Sequence, residues 1–530
     1  MLSSLKLLAA LPLAAVLAQG GVLPRASKAT TTSTASGAAT SSSSGQTTFS
    51  TTSVGQEAFV NKGLVGFGRI SGDAYDSYGE SLGGLGSAIS VESFRKAGKN
   101  QNTYSGTIRM QPDRGHNQGG AATSDYRARS QVFSFTFSPL ADNAAATGNA
   151  ANLQFKYESS TLYRLSSNYT TGLNPDAVRT RSGKEPLPLA TYDYHTSFDT
   201  EGLVDIGDIL ISSDEYGPYI YAIEKSSGTV VGVLTPPDAI IPMINGSPNF
   251  TANSDPTTGR VANQGFEGLS VSTSKGVLYA LLQSGTVQDG GSSDTSSPYT
   301  RLLGYSYAGQ SLAQIAANGF EPKLVEEYVV KLPTSNKGKA RGASELHVVG
   351  DGIFAVLARD GKGLGNDPPT DASSYKEVGL LTTAGATNIA GTKYDSPENP
   401  VAPGGQLVDG ITAATVQDWL SLIDTAQLAK FGIHNGGTLD QNLIASKLES
   451  LALASVGDSA YPDDYFLFVV SDNDFITLNG KQAGQAQGGS GPYVLQDYQD
   501  PYAVEYKLTQ DTQAYVYRVT LPGYKEQTPN

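Results

Sequence analysis

Five times along the chain a glutamate stands just before a small or apolar residue at the start of a strand-like segment. The instances are Tyr78-Gly-Glu80-Ser-Leu, Asp199-Thr-Glu201-Gly-Leu, Gly265-Phe-Glu267-Gly-Leu, Ala343-Ser-Glu345-Leu and Lys447-Leu-Glu449-Ser-Leu. Each is followed by a second apolar strand ending in a polar cluster: Pro112-Asp113-Arg114-Gly, Ser213-Asp214-Glu215-Tyr, Leu282-Gln283-Ser, Ala358-Arg359-Asp360-Gly and Ser471-Asp472-Asn-Asp474. Two short strands and a turn, repeated along a chain, are what the blade of a β-propeller supplies, with blades standing around a central channel. A β-sandwich also has short strands but no reason to repeat one acidic step. The expectation is an all-β propeller of about six blades: the five copies plus an unmarked strand region at Gln131 to Arg164. The five glutamates then converge on one mouth of the channel.

The strands themselves are read from alternating apolar runs bounded by Gly, Pro, Asp and Ser, such as 131–137, 219–223, 277–282, 353–357 and 465–470. One stretch departs from this period. Val416, Trp419, Leu420, Ile423 and Gln427 fall at helical spacing, and 442–454 can continue it, which predicts a helical insertion at 416–454 between strands.

The N-terminus has Lys6, an apolar run from Leu7 to Leu17, and small residues around Ala18. This is the pattern of a secretory signal peptide over 1–18, too short for a membrane span. Residues 19–55 are dominated by Ser, Thr, Ala and Gly and predict a disordered, O-glycosylated stalk. The domain proper is then 56–525. Sequons at Asn168, Asn245 and Asn249 fit an extracellular surface. The expected destination is secreted and extracellular, with association to a cell wall compatible with it. The chain has no cysteine, so disulfides, thiolate metal sites and thiol nucleophiles are excluded together. The net charge of −14 argues against a nucleic-acid partner. A monomer acting on a small molecule, with no membrane partner, is the expected form.

An acidic residue beside glycine is, taken singly, ordinary turn chemistry. Five in register imply a shared site. Two carboxylates about 6 Å apart repel by roughly 2–3 kcal/mol at an effective dielectric near 20, so converging carboxylates must bind cations, take up protons or lie open to solvent. The candidate ligands are Glu80, Glu201, Asp214, Glu267, Glu345, Glu449, Asp472 and Asp474, and the candidate ion is Ca2+, a hard cation taking six to eight oxygen ligands. Zinc is disfavoured, because no two of the 4 histidines stand at ligand spacing. The candidate catalytic groups are Asp113, Arg114, Glu215, Arg359 and Asp360, the arginines stabilising developing negative charge. His116 and His195 read as hydrogen-bonded loop residues. Gly79-Glu-Ser81-Leu-Gly83 matches a nucleophile elbow, but no buried strand precedes it and no helix pattern follows.

The segments quoted above, together with Glu80-Ser-Leu-Gly-Gly-Leu-Gly-Ser, Tyr216-Gly-Pro-Tyr-Ile-Tyr and Leu281-Leu-Gln-Ser, resemble the phytase-like family known for "esterase-like activity of phytase". The resemblance spans about residues 60 to 520. It implies a propeller-like fold and hydrolysis of esters, including phosphate esters such as phytate, with the acidic positions and Arg114 in the family's polar cluster. Ser450 departs from the pattern, standing where glycine is expected after Glu449. The expectation is therefore a Ca2+-dependent phosphate-ester hydrolase. The alternatives are a carboxyl-ester or lactone hydrolase on the same site and a non-catalytic, calcium-stabilised binding propeller.

Overall fold

Short apolar runs separated by tight turns pair most readily with their chain neighbours, and in the computed structural model they do so in groups of four. The structure describes residues 40–41, 47–98, 101–117, 123–141, 151–182, 184–292, 297–307, 309–485 and 493–525. Among these residues five four-stranded antiparallel sheets stand out. The first comprises Ala88–Lys96, Tyr104–Gln111, Arg129–Phe137 and Leu153–Leu162. The second comprises Thr200–Ile206, Ile209–Asp214, Ile220–Glu224 and Val230–Leu234. The third is Phe266–Ser272, Val277–Leu282, Tyr299–Ser306 and Lys323–Lys331. The fourth is Ala343–Gly350, Ile353–Arg359, Lys376–Thr382 and Ala414–Ser421. The fifth joins Lys447–Ser455, Asp464–Asp472 and Thr512–Thr520 to the N-terminal strand Glu57–Ile70.

The leading strands of the five sheets lie side by side in a closed circuit. Ala88–Lys96 touches Thr200–Ile206, and the contact passes on through Phe266–Ser272, Ala343–Gly350 and Lys447–Ser455 back to Ala88–Lys96. At the outer side, parallel pairing of Val330 with Ala414 merges the third and fourth sheets into one of eight strands. A parallel bridge between Gly68 and Leu153 ties the fifth sheet to the first.

Apolar side chains fill the spaces between neighbouring sheets. Phe137 and Phe466 meet edge to face at 5.1 Å between the first and fifth sheets, and Tyr279 and Phe354 do so at 4.8 Å between the third and fourth. Burying each such ring contributes roughly 1.5–3 kcal/mol, and burial of this kind holds a chain without cysteine together.

Three expectations are corrected. The unmarked region at 131–164 is not a sixth unit, because Arg129–Phe137 and Leu153–Leu162 complete the first sheet by pairing with each other and with Tyr104–Gln111. The helical insertion is absent: 414–421 and 447–455 are strands, leaving only Thr425–Leu428 and a short turn at Ala429–Phe431 helical. A bulge opposite Val378–Gly379 places Trp419 and Leu420 both in the interior, which breaks the two-residue period and imitates helical spacing. The expected stalk extends too far. Ser50–Val54 pairs with Glu57–Ile70 through a turn at Gly55, whose φ of 61° favours glycine. The signal-peptide reading of 1–18 lies outside the described residues, as does most of the stalk.

Candidate active site

The glutamates reach the ring of leading strands through a repeated irregularity. Thr200 to Leu203, Phe266 to Gly268 and Leu448 to Ser450 each carry one residue more than the partner strand opposite. The bulge re-aims side chains at the strand entrance, and Glu201, Glu267 and Glu449 sit in it. The glycine that follows has its own reason. A Cβ on Gly202 would stand 2.5 Å from the Glu267 carbonyl oxygen, and one on Gly268 would stand 2.5 Å from the Leu346 amide nitrogen. The leading strands pass too closely there for a side chain.

These bulges and the ends of the second strands line a polar cavity of about 170 Å3, with Asp113, Arg114, Asp199, Glu201, Glu215, Glu267, Gln283, Arg359, Lys447 and Glu449 in its wall. Carboxylate oxygens gather in two groups, Asp199–Glu201–Glu215 and Asp113–Asp472–Asp474, each with its atoms within 4.8 Å of one another. Three cations face these eight carboxylates. Arg114 Nη1 donates to Asp199 Oδ2 at 3.2 Å and also to Asn263, and the Arg114 backbone N–H donates to Asp199 Oδ1 at 3.1 Å. Arg359 donates to Glu449. Lys447 Nζ donates to Asp472 Oδ2 at 2.5 Å and Asp474 Oδ1 at 2.8 Å.

The crowding shows in the acidities. Burial, then the neighbouring carboxylates, pushes Glu201 and Glu267 well above the ordinary glutamate range, and the same causes raise Glu215 to about 7. Burial likewise raises Asp472 to about 7 and Asp113 well above its usual value. Asp474 alone is held low, where Lys447 outweighs the cost of burial. Glu215 lies against Glu267. Among the described residues its Oε1, wholly buried, meets no donor. An oxygen-only set with an orphaned buried carboxylate atom suits a hard cation such as Ca2+.

The structure thus brings together Asp113, Arg114, Glu201, Glu215, Glu267, Arg359, Glu449, Asp472 and Asp474, and it takes four expected residues elsewhere. Glu345 is not at a bulge apex. Ser344 holds that place, and Glu345 falls where its counterparts are Gly202 and Gly268. Its carboxylate accepts from the amides of Leu269 at 3.2 Å and Leu346 at 2.8 Å, and from that of Leu451, inside a separate cavity lined by all five leading strands. Glu80 precedes its sheet in a loop and is paired with Arg129 at 2.7 Å and Arg127 at 2.9 Å. Asp214 caps its own turn, accepting from the amides of Asp199 at 2.8 Å and Tyr216 at 3.1 Å. Asp360 accepts from the Ser373 hydroxyl at 2.6 Å and the Ser374 amide at 2.8 Å, which holds the following loop.

Asp199 and Lys447 stand in the motifs already quoted, yet their part in the site was not foreseen. His116 bonds Asp500 at 3.0 Å as a loop residue, whereas His195, which bonds Asp193 at 2.8 Å, opens the short strand His195–Thr196 rather than a loop. The Ser81 hydroxyl accepts from the Lys481 amide at 2.8 Å. Asn168 and Asn245 are exposed, and Asn249 is half-buried.

Residues 110–475, which contain both carboxylate groups, match the family described as "Phytase-like: Esterase-like activity of phytase". The chain belongs to the phytase-like family. A relative from Arthroderma benhamiae, described as an "Uncharacterized secreted protein", is 33% identical over 476 residues, covering 81% of this chain and 90% of that protein. Among solved structures, the N-terminal domain of Nup159 aligns at TM-score 0.28 and 7% identity, covering 87% of this chain and 96% of that one. A luciferin-regenerating enzyme aligns at TM-score 0.22 and 9% identity, covering 84% and 94%. Neither likeness bears on the chemistry of this phytase-like chain. Among its described residues, no helix is long and apolar enough to cross a membrane.

Proposed function

We propose that this phytase-like protein is a secreted, Ca2+-dependent hydrolase of phosphate esters, built as a five-bladed β-propeller with its active site at the acidic mouth of the strand ring. The observation that carries the reading is the Asp199–Glu201–Glu215 group, with its buried Glu215 Oε1 lacking a donor, in one cavity with Arg114 and Arg359. Eight carboxylates faced by only Arg114, Arg359 and Lys447 cannot all stay ionised so close together without a further cation.

On this reading Asp199, Glu201 and Glu215 hold the ion. A divalent cation bound there would neutralise phosphoryl oxygens and acidify a water molecule. Arg114 and Arg359 are each partly open to the cavity and fixed from behind by Asp199 and Glu449. Guanidinium groups anchored in this way bind phosphate oxygens through paired N–H donors and need no reorientation as charge develops. Glu267, whose carboxyl is pushed well above the ordinary glutamate range by burial and by Glu215 and Glu449, is the group placed at the cavity wall to protonate the departing alkoxide. The roles first expected for Glu215 and Glu267 are thereby exchanged. Secretion rests on the N-terminal pattern and on the description of the Arthroderma benhamiae relative. In that setting Asn168 and Asn245, both exposed, are the accessible glycan acceptors.

The test is a substrate panel of phytate, a nitrophenyl phosphate, a nitrophenyl acetate and a lactone, each before and after dialysis against a chelator. Phosphate release that chelation abolishes and calcium restores is expected. Phosphate release indifferent to chelation overturns the cation's role, and turnover of the carboxyl esters alone overturns the substrate class.

A further inference from the structure

One of the two carboxylate groups in the mouth has an ammonium inside it. Lys447 Nζ lies 2.5 Å from Asp472 Oδ2, 2.8 Å from Asp474 Oδ1 and 3.6 Å from Glu449 Oε2. The backbone enforces this placement, because Lys447 and Asp472 are directly paired on adjacent antiparallel strands, and Asp474 follows in a turn where its own amide donates to Asp472 Oδ1 at 2.7 Å. The Asp199–Glu201–Glu215 group differs. Arg114 meets it at Asp199, and among the described residues Glu215 Oε1 has no donor.

We propose that Lys447 stands in for a second metal ion: it fills the Asp113–Asp472–Asp474 group, the mouth takes a single divalent cation at Asp199–Glu201–Glu215, and a phosphate between them is held by the cation from one side and by the Lys447 ammonium from the other. This rests on the cation reading given above and adds the number of ions, their place and the role of Lys447. Two-metal phosphoryl sites clamp the attacking and leaving oxygens between two positive centres. Here one centre is covalently attached to the chain. Lys447 Nζ already lies against these oxygens, so a dication admitted among them would meet an ammonium in contact with its ligands. Consecutive residues join the two halves: Asp113 belongs to the lysine-filled group, while Arg114 reaches Asp199 of the other. Lys447 and Glu215 face the same cavity. As a compact charge with three donors, lysine suits this position better than a planar guanidinium would.

The experiment is calorimetric titration of CaCl2 into metal-stripped full-length protein, with the fold checked by circular dichroism. The expected counts are one ion for the wild type, one for K447R, none for E215Q, one for D474N and two for K447M. A wild type that takes two ions overturns the role of Lys447 and leaves the cation reading standing. A wild type that takes none overturns the cation reading and this inference with it. Folded K447M that still takes one ion overturns the inference. If K447M does not fold, the E215Q and D474N pair decides: loss of the ion in D474N with retention in E215Q places the ion in the wrong group and overturns the inference.

Discussion

Arg359, the last residue of the second strand in the fourth sheet, donates its Nη2 hydrogen to Glu449 on the leading strand of the fifth. Arg114, just past the second strand of the first sheet, does the same to Asp199 at the entrance of the second, at 3.2 Å. The mouth is therefore assembled between neighbouring sheets, and each arginine fixes a carboxylate of the next unit. Replacing Arg359 by methionine leaves Glu449, only 4% exposed, without its hydrogen-bonded partner and with only the more distant Lys447 ammonium at 3.6 Å. The expected loss is about 3 kcal/mol of stability, as for other broken buried pairs, read as a lower urea midpoint. An unchanged midpoint would show that Glu449 finds another partner.

Glu345 should behave differently from Glu201, although both stood in the same expected set. Its carboxylate joins the amides of Leu269, Leu346 and Leu451, on three leading strands. E345A should lower stability by about 2 kcal/mol through three unsatisfied buried amides while leaving calcium uptake intact. E201Q should cut calcium uptake with little effect on the metal-free melting temperature. Paired melting curves and calcium titrations on the two variants distinguish them, and loss of calcium binding in E345A would contradict the assigned positions.

The raised carboxylates make a prediction about pH with a definite sign. Glu215 and Asp472 titrate at about 7 in the folded protein, and Glu201 and Glu267 are pushed well above their ordinary range. In the unfolded chain such groups titrate near about 4. Between those values the native state holds protons that the unfolded state has released, so stability is fullest below the unfolded pKa and is lost as pH rises through the folded one. Each such proton contributes about 1.4 kcal/mol per pH unit. Asp474, held low by Lys447, acts oppositely, and only in the acid range. Metal-free protein should therefore melt at a lower temperature at about pH 7.5 than at about pH 5. Saturating calcium should flatten or reverse that slope, because the ion takes the place of the protons. A melting temperature that rises with pH without metal would contradict the crowding of the mouth.

The repeat made much of this legible. In Glu201-Gly-Leu, Glu267-Gly-Leu and Glu449-Ser-Leu the glutamate stands two residues before a leucine of the leading strand, and all three glutamates line the mouth. Glu345 directly precedes its leucine, Leu346. That one-residue difference moves its side chain from the bulge into the separate cavity, and counting back from the leucine would have revealed it. Glu80 could have been set aside on similar grounds, since eight positions separate it from Ala88, where its sheet begins. The first sheet was hard to recognise because long stretches of sequence separate Gln111 from Arg129 and Phe137 from Leu153, which made 131–164 look like a unit of its own. Lys447 gave no local signal. A lysine opening an apolar strand looks like a solvated end, and only the cross-strand register with Asp472 turns it inward.

Anomalous diffraction from crystals soaked in Mn2+ measures the central claim most directly, because it reports where a divalent ion sits. The account predicts a single strong peak within bonding distance of Asp199, Glu201 and Glu215, and none among Asp113, Asp472 and Asp474 beside Lys447. A peak at Glu80 or Glu345, or a mouth without any ion while phosphate esters are still turned over, would contradict it.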